Sequence, residues 1–119
     1  MLSSNKKGRL SGAAAVFGVL AVFCTASDAQ ALDAEAAKAL VKDNECTKCH
    51  AVDKEKKGPS YRKIAAKYKG KPDGEDKAIK SMTTGPKVKL EDGTQEDHKI
   101  IDTKDAAAIR NVARWILSH

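Results

Sequence analysis

The feature that most limits what this chain can become is five residues long: Cys46-Thr47-Lys48-Cys49-His50. C-x-x-C-H is the attachment pattern for c-type haem. The spacing has a physical logic. Two thiols three positions apart on one turn of helix can each add to a vinyl group on the same edge of a flat porphyrin. The adjoining His50 is then held under the iron as an axial ligand. Three other readings use the same cysteines. A Cys46–Cys49 disulfide fits an oxidising compartment, and a C-x-x-C redox pair fits a thioredoxin-like fold, but the chain lacks the alternating strands and helices such a fold requires. A zinc site takes two thiolates and two histidines, but His98 and His119 lie far apart and form no second ligand pair.

The first third of the chain is foreign to the rest. Lys6, Lys7 and Arg9 form a positive region, an apolar run extends from Leu10 to Phe23, and a small polar stretch ends in Ala29-Gln30-Ala31. That is an A-x-A cleavage site, so residues 1–31 read as a cleaved secretory signal peptide and residues 32–119 as the domain. The apolar run is shorter than the roughly 20 residues of a spanning helix, so no stable membrane insertion is expected after cleavage. Cys24 follows Phe23, where a lipoprotein signal needs a small residue, and goes with the discarded segment. The predicted location is the periplasm. No double arginine marks export in the folded state, so the haem is attached after export, and a covalent link keeps it from being lost there.

Lys6, Lys7, Arg9 and Asp28 leave with the signal, which takes the 22 basic residues to 19 and the 16 acidic to 15. The lysines are spread along the chain, whereas a nucleic-acid surface clusters them with aromatics between. A domain this small has a marginal core and often needs a staple. Its aromatics are Tyr61, Tyr68 and Trp115 alone, so a large apolar body has to come from elsewhere.

The pattern is all-α. Asp33 caps a first helix through Lys42, with Ala36, Leu40 and Val41 as its stripe. A turn at Lys57-Gly58-Pro59 ends the haem-attachment segment. A second helix runs from Ser60 to Lys69, presenting Tyr61, Ile64, Ala65 and Tyr68, and stops at Gly70 with Pro72 beyond. A short helix follows from about Asp73 to Met82. Gly85-Pro86 then opens a long loop that carries His98, with no convincing strand. Thr103 caps the last helix, whose stripe is Ala106, Ile109, Val112, Ala113 and Ile116, with Trp115 close by.

Taken together, Cys46 to Asp53, Lys57-Gly58-Pro59-Ser60-Tyr61 with Ile64 to Tyr68, and Asp105 to Ser118 resemble the small class I cytochromes c of the bacterial c-551/c-552 type. The resemblance implies four to five helices wrapped around one covalently bound haem c, with the first and last helices crossing. It also implies that the Pro59 carbonyl accepts the Nδ1 proton of His50 and so fixes its tautomer. The family normally supplies a methionine from the loop before the last helix as sixth ligand. Here that loop holds Glu96-Asp97-His98-Lys99, and the methionine, Met82, falls at the end of the short helix. Three arrangements are open: His98 opposite His50, Met82 brought across, or an unfilled distal position. Loop position favours His98.

Two histidines leave no place for a substrate, which points to an electron-transfer protein rather than an enzyme, and to a potential below that of methionine-ligated relatives. The expected function is a monomeric periplasmic one-electron carrier. It docks transiently with other redox proteins such as multihaem conduits or a dehydrogenase, using Lys48, Lys54, Lys56 and Lys57 near the attachment site. The alternative is a ligand-binding or sensor haem protein with a dissociable or open distal site.

Overall fold

The computed structural model describes residues 31–119, together with positions 8, 12–15 and 18, so the predicted signal peptide lies almost wholly outside the described residues. Helix α1 (Ala34–Asp43) leads into one 3-10 turn, Cys46–Lys48. Helices α2 (Tyr61–Tyr68) and α3 (Gly74–Thr84) follow, then strands β1 (Lys87–Lys89) and β2 (Gln95–Asp97), and last helix α4 (Ala106–Leu117). Among the described residues no helix is long and apolar enough to cross a membrane.

The helix starts follow from side-chain caps. Asp33 accepts from the Ala36 amide and Ser60 from the Lys63 amide, so α1 and α2 begin where the sequence places them. The last helix does not. Its cap is Asp105, whose Oδ1 accepts from the amides of Ala107 and Ala108 at 3.0 and 3.1 Å. Thr103 instead holds the cap itself, its hydroxyl accepting from the Asp105 amide at 3.2 Å. A carboxylate there satisfies two helix amides and the positive helix end together, which a threonine hydroxyl cannot match.

Helix α4 is the organising element and packs against α1, α2 and α3. Val41 of α1 and Val112 of α4 are the largest fully buried side chains, and burying each contributes about 1.5–3 kcal/mol. On α1 the buried alanine is Ala37 rather than Ala36, and on α4 Ala106 is exposed while Trp115 joins the core. Asn111 clamps the two helices, accepting from the Asp33 amide at 2.9 Å and donating to its carbonyl at 2.7 Å. Glu75 ties α3 to α4 through Arg110 and Arg114.

The segment after α3 is not a plain loop. β1 and β2 form an antiparallel hairpin with Lys87 opposite Asp97, Val88 opposite Glu96 and Lys89 opposite Gln95. Its tip is closed by Leu90 and Thr94, whose amide and carbonyl lie 2.8 Å apart, and by the Asp92 carboxylate, which accepts from the Thr94 amide at 2.9 Å. Asp92-Gly93 is the turn signal. Three-residue strands with only Val88 turned inward are too short for alternation to show.

Because Asp105 and not Thr103 caps α4, Asp105→Ala should destabilise the holoprotein by about 1 kcal/mol in urea unfolding. Thr103→Ala should cost clearly less.

Candidate functional site

The attachment motif opens on the 3-10 turn, where the amides of Cys49 and His50 both reach the Cys46 carbonyl, at 3.2 and 3.0 Å. This puts the two sulfurs and the imidazole on one turn. The chain then folds back: the Gly58 amide donates to the Cys49 carbonyl at 2.9 Å, and the Tyr61 amide to the Ala51 carbonyl at 2.9 Å. The closed loop delivers the Pro59 carbonyl to Nδ1 of His50, 2.6 Å away. A carbonyl can only accept, so Nδ1 carries the proton and the lone pair sits on Nε2, the state a metal ligand needs. Burial pushes the His50 pKa below its ordinary value, against the opposing pull of the Pro59 bond, which keeps the ring neutral. Gly58 is required beside it. A Cβ there would lie 2.8 Å from Cε1 of His50.

Tyr61 backs the same imidazole. Its ring stacks on His50 with centroids 5.7 Å apart and meets Trp115 edge-on at 5.3 Å. Its hydroxyl is buried with no partner among the described residues, and burial holds its pKa far above the ordinary phenol, so it remains a donor.

His98 comes from the other side. Its amide donates to the Pro86 carbonyl at 2.9 Å, extending the hairpin ladder by one rung. Gly85, in the left-handed region at φ 58°, lets the backbones meet: a Cβ there would come within 2.9 Å of the His98 carbonyl. A Gly-Pro pair thus seats each histidine, Gly58-Pro59 for His50 and Gly85-Pro86 for His98. The two rings face each other with centroids 6.0 Å apart and planes tilted by 49°. Nδ1 of His98 is buried without a partner among the described residues, which costs about 1–3 kcal/mol if nothing binds there.

Between these elements lies a largely apolar cleft of about 710 Å³ to which all four helices contribute, through Val41, Ile64, Ala78, Met82 and Val112 among others. That is within the range of roughly 300–1,000 Å³ typical of cofactor sites. Cys46, His50, Pro59, Met82 and His98 line it together. Cys49 faces a smaller adjoining cleft of about 180 Å³, whose rim also carries Lys57, Lys89 and Lys99. Met82 is a helical residue packed in the core, and its carbonyl accepts from the Ile101 amide at 2.9 Å. Cys46 and Cys49 are not joined to each other, and burial raises the Cys46 pKa. Among the described residues no group of three or more His, Cys, Asp or Glu is placed to hold a bare metal ion, as a zinc centre would require.

The residues present fit a haem: two thiols on one turn, a neutral imidazole with its far nitrogen left for iron, an apolar cleft of cofactor size, and buried polar atoms without partners. Fold and cleft together define a covalent haem protein of the class I cytochrome type. Comparison with known proteins agrees. The sequence profile of cytochrome c matches residues 34–119. Cytochrome c-551 of Pseudomonas aeruginosa is 28% identical over 90 residues, 76% of this chain and 83% of that one. Cytochrome c-551 of Azotobacter vinelandii is 27% identical over 85 residues, 71% of this chain and 99% of the other. Among solved structures, the class 1 cytochrome MtoD from Sideroxydans lithotrophicus ES-1 is similar at 54% identity and a TM-score of 0.71, covering 74% of this chain and 97% of that one. Nitrosomonas europaea cytochrome c552 is similar at 28% identity and a TM-score of 0.54, covering 68% and 96%. The chain belongs to the cytochrome c family and is a class I monohaem cytochrome c, a haem-based electron carrier with one covalently bound haem c.

Sequence reasoning missed the stacking of Tyr61 on His50, the second Gly-Pro seat, Lys89 on the cleft rim, and the contacts of Asn44 and Glu45. Gly85-Pro86 was readable as a repeat of Gly58-Pro59. The Asn44 and Glu45 contacts are long-range, 58 and 54 positions, and carry no local signal.

Since a methyl at Gly58 would press on Cε1, Gly58→Ala should displace the His50 ring and destabilise the holoprotein by about 1–3 kcal/mol. Changed hyperfine shifts of the His50 ring protons in NMR would report the displacement.

Proposed function

We propose that this cytochrome is an exported one-electron carrier whose iron is held by His50 on one side and His98 on the other. The observation that carries this reading is the 6.0 Å separation of the two ring centres. Metal–imidazole bonds run about 2.0–2.1 Å, so two imidazoles on one metal have centres on the order of 6 Å apart. The presence of both His50 and His98 in the lining of the same cleft supports this reading. Met82 stays the alternative, since its side chain lines the cleft from α3, but it is the imidazole that faces His50.

The haem supplies reversible one-electron iron chemistry. The protein's part is to fix both imidazoles, exclude water with the apolar walls, and leave no open position for a substrate. Small rearrangement at the iron suits rapid exchange. A second reading, a ligand-binding or sensor protein, draws on the lack for His98 of any hydrogen bond like that from His50 to Pro59, which makes it the looser ligand.

The signal peptide read at residues 1–31 supports a periplasmic location, and the basic balance of the domain supports transient docking, as a monomer, with acidic faces of other redox proteins, multihaem conduits or a dehydrogenase among them. Of the four lysines expected to steer docking, Lys48 pairs with Glu45 and Lys56 donates to the Thr47 carbonyl. Lys54 and Lys57 form no ion pair among the described residues, and Lys57 shares the rim of the smaller cleft with Lys89. These three are the better steering charges.

His98→Met should replace the bis-imidazole EPR signature with a methionine-type near-infrared charge-transfer band and raise the potential by on the order of 0.1 V. A methionine band in the unmodified protein would sink the assignment, and rapid carbon monoxide binding by the unmodified ferrous protein would favour the sensor. Converting Lys54, Lys57 and Lys89 to glutamine should slow electron transfer with an acidic partner and flatten its salt dependence. Mass analysis of the exported protein should find cleavage after Ala31.

A further inference from the structure

The segment that carries His98, just beyond β2, is fastened at four places. Two fastenings lie on its own side of the cleft: the His98 amide on the Pro86 carbonyl and the Ile101 amide on the Met82 carbonyl, both at 2.9 Å. The other two reach across to the segment just before the attachment motif. The Asp102 amide donates to Oδ1 of Asn44 at 2.8 Å, and the Lys99 ammonium pairs with the Glu45 carboxylate. Asn44 and Glu45 are consecutive, and Cys46 follows them.

Both residues are themselves held in place. Asn44 ends α1, with its backbone amide and its Nδ2 both donating to the Leu40 carbonyl, at 3.1 and 2.9 Å. Its Oδ1 is thereby turned to the Asp102 amide of the distal segment. Glu45 also pairs with Lys48 inside the attachment turn, and it sits in the left-handed region at φ 58°, the only non-glycine to do so among the described residues. An L-residue persists there only where its surroundings over-determine it, and such strain gathers at functional sites. An exposed ion pair alone is weak. A side-chain oxygen fixed by its own helix and bonded to a backbone amide constrains far more.

We propose that Asn44 and Glu45 form a strap that positions the His98 segment over the cleft and keeps the distal histidine from leaving the metal. The proposal rests on the histidine ligation argued above. Asn44 is the principal positioning residue, because it fixes backbone. Glu45 adds the ionic tie and joins the strap to the turn that bears the thiols. The attachment segment therefore governs both faces of the site, the proximal one through His50 and the distal one through this strap.

The test uses the haem-loaded protein. The EPR spectrum of the unmodified ferric form is recorded first. A methionine ligand there overturns the histidine reading and the strap's role with it, before any variant is made. With a bis-imidazole spectrum in hand, Asn44→Ala should speed carbon monoxide binding to the ferrous form by on the order of tenfold, the loss of one well-placed hydrogen bond. It should also speed hydrogen exchange at the Asp102 amide. Asn44→Asp keeps an oxygen for that amide and should restore both towards the unmodified values. Glu45→Gly frees the strained backbone while deleting the carboxylate, so carbon monoxide binding should rise while the melting temperature does not fall. A merely structural role would not separate those two readouts. If Asn44→Ala fails to accumulate, Glu45→Gly carries the test. Unchanged carbon monoxide binding and Asp102 exchange in a bis-imidazole protein would overturn the proposal.

Discussion

Much of this molecule depends on one hydrogen bond, from Nδ1 of His50 to the Pro59 carbonyl at 2.6 Å. It decides which imidazole nitrogen is left for the metal, and it can form only because the chain between the two residues closes on itself. That closure needs a glycine at position 58, where any side chain would strike the ring. It also sets the start of α2, since Ser60 caps that helix and Tyr61 opens it. Tyr61 then carries the constraint inward, with one face on His50 and the edge of Trp115 against it. Site and core are thus a single packing problem, and a change at either end is felt at the other.

The opposite side of the cleft is built by different means. His98 stands at the end of a two-stranded hairpin, a structure that is marginal alone and must lean on the helices. Its backbone is fixed through Gly85-Pro86, yet among the described residues its ring has no acceptor like Pro59. One histidine is locked in orientation and the other only in place. Under the proposed ligation, this gives the iron one firmly oriented imidazole and one held mainly through its backbone.

The helical part of the fold was legible because its signals are local. Asp33, Ser60 and Gly70 punctuate the chain where helices start or stop, and the C-x-x-C-H run names its cofactor within five residues. Where reading failed, the deciding interaction was either too short or too distant. Asp105, two positions on, displaced Thr103 as a cap because only geometry shows which side chain reaches the free helix amides. The hairpin strands are three residues each, below the length at which alternation can be seen, so Asp92-Gly93 was the one clue. The grip of Asn44 on Asp102 joins residues that no window along the chain would hold together. Cys46, Cys49 and His50 could be named from one contiguous pattern and Pro59 from the family resemblance, whereas choosing between His98 and Met82 needs the cleft that the whole chain encloses.

Four of the long-range contacts are also concentric. His50 faces His98, Glu45 meets Lys99 just outside that pair, Asn44 meets Asp102 outside those, and Asp33 is clamped to Asn111 outermost. Closing the outer pair directly would set a loop 78 positions wide against the entropy of a free chain. Closed from the inside, each ring leaves only a short step to the next. A helix the length of α1 or α4 is marginal alone, so the terminal pair gains most from arriving last. Assembly by this route runs outward from the cofactor, with the two ends of the domain meeting only after its centre is set.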